Sequence, residues 1–149
     1  METKKFTQFG TFTVIILSVL LIVFVILLID HGFSAKPETY MSASLVLAFT
    51  VCLLTFYKLT IMVDDITFSF KLGIGIFSKS YKIDEIESCN SVKNKFIFGW
   101  GIHLIPNGWL YNVSGFNAIE LTFKNSNKVI RIGTNKPEEI VELMQKLIK

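Results

Sequence analysis

FTVIILSVLLIVFVILLI, residues Phe12 to Ile29, decides how the rest of the chain is read. An α-helix rises about 1.5 Å per residue and the hydrocarbon core of a bilayer is about 30 Å thick, so a helix of this length is long enough to cross it. From Val14 to Ile29 every residue but Ser18 is Val, Leu, Ile or Phe, and each favours insertion by roughly 0.3 to 0.6 kcal/mol at mid-membrane. Lys4 and Lys5 precede the run as they would in a cleaved signal peptide. Its length, and the lack of a small-x-small pattern near Phe33-Ser34-Ala35, favour a retained span.

A second run, MSASLVLAFTVCLLTFY from Met41 to Tyr57, is less apolar and only just long enough to cross. Ser44, Ala48, Cys52 and Thr55 fall along one helix face. This strip of small side chains predicts close helix–helix packing in lipid, though small residues are also simply tolerated there. Tyr40 and Tyr57 frame the run at interfacial positions. Asp30 to Thr39, with Gly32 and Pro37, is a short polar connection suited to an antiparallel hairpin. Lys4, Lys5, Lys58, Lys71, Lys79 and Lys82 flank the hairpin outside that connection, which holds Lys36 alone; both termini are therefore expected on the cytoplasmic face of the cell membrane.

The 149 residues are 51% hydrophobic with a formal net charge of +3, enough for one modest domain beside two helices and too little charge to point to nucleic acid. Cys52 in a span and Cys89 beyond it are not a disulfide pair. The expected division is residues 1–60 for the hairpin, with spans near 12–29 and 41–57, and 61–149 for a soluble domain. In the latter, Ile66 to Lys71 alternates apolar and polar residues and predicts a strand. Leu72-Gly73-Ile74-Gly75 predicts a turn into a strand at Ile76 to Ile83. Further strands are expected over Ile86 to Val92, Gly101 to Ile105, Trp109 to Ser114, Ala118 to Lys124 and Lys128 to Gly133, with Pro106-Asn107-Gly108 making a hairpin turn. A helix follows, with Asn135 as its predicted cap, Pro137 in its first turn, and Ile140, Leu143, Met144, Leu147 and Ile148 on its apolar face.

Phe98-Gly99-Trp100-Gly101-Ile102, Gly108-Trp109-Leu110-Tyr111-Asn112-Val113-Ser114-Gly115, Ile119-Glu120-Leu121 and Arg131-Ile132-Gly133-Thr134-Asn135-Lys136-Pro137-Glu138 resemble, in order and spacing, the pattern of bacterial PH-like (pleckstrin-homology-like) domain proteins with two N-terminal spans. His103 and Asn135 stand where that pattern often has Arg and Asp. The resemblance implies an α+β chain: a transmembrane hairpin, then a bent antiparallel β-sandwich or partial barrel of about seven strands, capped by a C-terminal helix.

Catalysis needs a nucleophile with a base, a metal cluster or paired carboxylates, and no spacing here brings Cys89 to His103, so no enzyme, metal or cofactor is expected. Trp100, Trp109, Tyr111 and Phe116 are candidates for partner or membrane-surface contact, with packing at sheet corners as the alternative. Lys71, Lys79, Lys82, Lys93 and Lys95 are candidates for contact with anionic lipid. The expected role is that of an anchored interaction module, binding a membrane or cytoplasmic protein or its own copies, with an anionic lipid surface as the other partner.

Overall fold

The computed structural model describes residues 2–32 and 36–148. Strand β1 (Lys4–Phe9) leads through Gly10 into helix α1 (Thr11–Asp30), and helix α2 (Pro37–Phe56) leads through Tyr57 into strand β2 (Lys58–Val63). Both helices have 20 residues, are long and apolar enough to cross a membrane, and run to roughly 30 Å each. They are followed by β3 (Thr67–Leu72), β4 (Phe77–Lys82), β5 (Ile86–Lys93), β6 (Gly101–Ile105), β7 (Gly108–Asn112), β8 (Asn117–Phe123), β9 (Ser126–Gly133) and helix α3 (Pro137–Leu147).

The strands form two sheets, β1-β2-β3-β4 and β5-β8-β9-β7-β6, that do not close into a barrel. This is more strands than the seven expected, and β7 lies parallel to β9. The hairpin predicted around Pro106-Asn107-Gly108 does form. Its second strand then reaches β9 side by side, because a glycine at position 108 lets the Val129 backbone come within the space a Cβ would fill.

The two strands that alternation did not announce, β1 and β2, pair antiparallel from Lys4 opposite Val63 to Phe9 opposite Lys58. The helical hairpin therefore stands where a turn would stand between paired strands. Each joint is a single residue, and the Gly10 amide donates to the Tyr57 carbonyl at 2.9 Å across the two.

Between the sheets lies one apolar core. Leu59, Ile61, Val63, Phe68, Phe70 and Leu72 from the first sheet face Tyr111, Ile119, Leu121, Ile130 and Ile132 from the second. The α3 face of Ile140, Leu143 and Met144 is buried against it, as the apolar spacing predicted. The start of α3 differs: its cap position falls on Lys136 without a side-chain bond, and the Thr134 hydroxyl accepts from the Lys136 amide at 3.2 Å. Asn135 is one residue too early to reach the first-turn amides.

In the hairpin, the covered positions of α1 include half-buried Val14, Leu17, Leu21, Phe24 and Leu28, recurring at three and four residues, and those of α2 include buried Thr39 and Ser42 and half-buried Val46, Phe49, Leu53 and Phe56 at the same spacing. That period is the seam of two helices packed side by side. Phe24 stacks on Phe49 at its middle, ring centroids 5.3 Å apart. The expected strip runs elsewhere: Ser44, Ala48 and Cys52 are exposed, and only Thr55 is buried. Phe24, Phe49 and leucines fill the middle of the seam instead. The α2 hydroxyls bond to their own helix, Ser42 to Glu38, Thr50 to Val46 and Thr55 to Val51 carbonyl oxygens at 2.7 to 2.9 Å.

Candidate functional site

Strand direction sorts the loops into two ends. At the helix end lie the β3–β4 turn, the β5–β6 loop and the β7–β8 loop, and the segment from Gly133 into α3. At the far end lie the β2–β3, β6–β7 and β8–β9 turns.

The helix end is tied to the roots of α1 and α2 by hydrogen bonds from two loops and a ring stack from a third. The Thr13 hydroxyl of α1 donates to the Val113 carbonyl at 3.0 Å, and the Gln8 side-chain amide to the Ser114 carbonyl at 2.8 Å. On the other side the Ile74 amide donates to the Leu54 carbonyl in the last turn of α2 at 3.2 Å, supplying a partner the helix itself cannot. Asn112, fully buried, holds the β7–β8 loop: its amide group donates to the Gly99 and Gly115 carbonyls, and its Oδ1 accepts from the Ser114 amide. Trp100 lies flat on Phe12 of α1, ring centroids 5.8 Å apart and planes within 10°.

Exposed apolar side chains gather at this end. Outside the helices, the described residues with large exposed apolar groups are Phe9, Ile74, Ile76, Phe77, Phe96, Ile97 and Trp100 at the helix end, against Ile66, Leu104 and Trp109 elsewhere. Phe96 and Ile97 are 85% and 83% exposed, the highest values among them. Such concentration on one face marks a contact surface.

The sequence-derived candidates are distributed unevenly over this geometry. Trp100 and Phe116 are at the helix end, where Phe116 meets Phe96 at 6.0 Å. Trp109 is toward the far end beside the Gly108 turn, and Tyr111 is a core residue packed on Phe70, ring centroids 4.8 Å apart. Lys93 and Lys95 stand at the helix end, and Lys71 is one residue from it. Lys82 pairs with Thr67 near the far end. Lys79, opposite the core residue Phe70, shares that residue's face of the sheet, and its ammonium lies 5.3 Å from the Tyr111 ring. Phe96, Ile97 and Asn112 escaped the sequence because a short apolar triplet carries no period that tells exposed from buried, and Asn112 falls within a segment read only as strand.

Cys89 is buried, and burial pushes its thiol up to about 12, which leaves it neutral and unreactive. It lies on β5 and His103 on β6, opposite edges of the five-stranded sheet. Four inter-strand spacings put the two strands roughly 19 Å apart. Asp64 has structural work: its carboxylate accepts from the Thr67 hydroxyl and from the Ile66 and Thr67 amides, and these bonds lower its pKa. Among the described residues no three His, Cys, Asp or Glu side chains gather to hold a metal ion.

No protein-family model, curated protein or solved structure matches the chain.

Proposed function

We propose that the chain is a membrane-anchored binding module, a PH-like domain held at the cytoplasmic face by a two-span hairpin and acting by contact with a protein partner or another copy of itself rather than by catalysis. The observation that carries this is the pairing of β1 with β2, one residue from each helix. Because those strands are bonded together, the hairpin's two ends lie on one side; a crossing by α1 requires a return by α2. A helix apolar all round belongs in a protein core or in lipid, and no residue of α1 is buried by protein. The lysines beside the hairpin ends favour the cytoplasmic side.

Two packed sheets with a C-terminal helix against them support the PH-like reading, with β1 and β2 as additions to the seven strands expected. For partners, β4 offers an edge strand exposed along most of its length, open to pairing with an added strand. Confinement to a membrane raises effective concentration, so weak contacts suffice there.

Topology is tested by thiol labelling in intact cells. Lys36→Cys is expected to react with an impermeant maleimide from outside, and Asn127→Cys only after permeabilisation. Cys89 stays silent in both because its thiol is buried and protonated. Labelling at 127 but not at 36 in intact cells would reverse the orientation. A photo-crosslinker at Ser80 on β4 is expected to give a discrete adduct in native membranes; monomer alone from Ser78 and Ser80 would remove β4 as the contact edge.

A further inference from the structure

We infer that the β5–β6 loop, Asn94 to Trp100, is a wedge that seats in the headgroup layer of an anionic bilayer, with Phe96 and Ile97 entering the acyl boundary and Lys93 and Lys95 meeting lipid phosphates. This rests on the reading of α1 and α2 as membrane spans.

Three observations converge on it. The loop is fixed at interfacial depth, because Trp100 stacks on Phe12 in the first turn of α1 and the Asn94 amide donates to the Phe116 carbonyl at 2.7 Å in the loop that Thr13 and Gln8 hold. Its single helical turn, Phe96–Phe98, presents two large apolar side chains that are mostly exposed, Phe96 lying beside the Phe116 ring and still open on its outer side. In water such exposure is unfavourable, and contact with acyl chains removes it. Flanking lysines complete the pattern: Lys93 and Lys95 are exposed on either side of the buried Asn94. Basic residues beside apolar ones are what an anionic headgroup layer attracts. The occupant is therefore lipid continuous with the lipid around the helices, and the joints at Gly10 and Tyr57 keep the domain from lifting the loop away.

The test uses the full chain in a Cys52→Ala background, reconstituted into vesicles of phosphatidylcholine alone or with phosphatidylglycerol. An environment-sensitive fluorophore is attached at Ile97→Cys, at Leu104→Cys toward the far end, or at Ile22→Cys within α1, and quenched by brominated lipid. Expected are strong quenching at 22, clear quenching at 97 that increases with phosphatidylglycerol, and none at 104. Lys93→Gln or Lys95→Gln is expected to weaken the seated state of the loop roughly fivefold per residue in the anionic vesicles. Quenching at 22 with a water-exposed probe at 97 would overturn the wedge and leave the anchor standing. Loss of quenching at both would overturn the anchor itself. A probe at 97 that is shielded from water but not quenched would assign the loop to a protein contact, and equal quenching in neutral and anionic vesicles would remove the lysines from the account.

Discussion

Gly73→Ala is expected to lower the unfolding midpoint of the detergent-solubilised chain by about 10 °C, corresponding to about 3 kcal/mol. Gly73 has φ +53°, where a side chain costs about 1–2 kcal/mol. A Cβ there would also overlap the backbone oxygens of Leu54 and Thr55 in the last turn of α2. Those are main-chain atoms, so the turn must move. Moving it strains the bonds that hold the β3–β4 turn, Gly73 amide to the Lys58 carbonyl at the start of β2 at 2.7 Å and Ile74 amide to the Leu54 carbonyl of α2. Gly115 separates the two costs: its φ is +67°, and a Cβ would meet only the Gln8 side chain at an ordinary 3.5 Å. Gly115→Ala should therefore show the conformational cost alone, roughly a third to two thirds of the effect at Gly73. Equal losses in thermal unfolding at the two positions would mean that the turn does not clasp α2.

Phe70→Ala should cost about 3–5 kcal/mol, the range for deleting a large aromatic from a packed core. Phe70 is 1% exposed and meets Tyr111 across the two sheets, so its removal opens space where the layers touch. The measurement is denaturant unfolding of the same preparation, followed by tyrosine and tryptophan fluorescence. A loss under 1 kcal/mol would place Phe70 outside a packed sheet-to-sheet core. Phe77→Ala, on the same face but 46% exposed, provides the comparison and should change stability little.

Where the sequence carried a period, it was legible. Thr67 to Leu72 and Ala118 to Phe123 alternate cleanly, Asn107-Gly108 marked a hairpin, and the face of α3 followed from its apolar spacing. Strand β1 was not, because its pairing is remote: Phe9 meets Lys58 only after the whole hairpin has intervened. Lys4 and Lys5 read locally as the flank of a span, and nothing within Lys4–Phe9 announces a partner. The helix seam was misplaced for a related reason. Small residues at helical spacing were visible on α2, but the complementary row of Leu and Phe on α1 decides which face meets it. Of the candidate surface aromatics, Tyr111 is buried because its face of β7 lies inward against the first sheet, a long-range fact.

The hairpin-for-turn joint is the claim on which anchoring, orientation and the seating of the loop all depend. It is tested most directly by a disulfide trap in native membranes with Thr7→Cys and Thr60→Cys, directly opposite one another and with hydroxyl oxygens 3.2 Å apart. Near-complete intramolecular bond formation on mild oxidation is the expected result, with little from Thr7→Cys paired with Ser80→Cys on the opposite edge strand. Failure of the 7–60 pair to close, with both thiols remaining reactive, would mean that the N-terminal segment does not join the sheet and that the helices are a tether rather than a clasp.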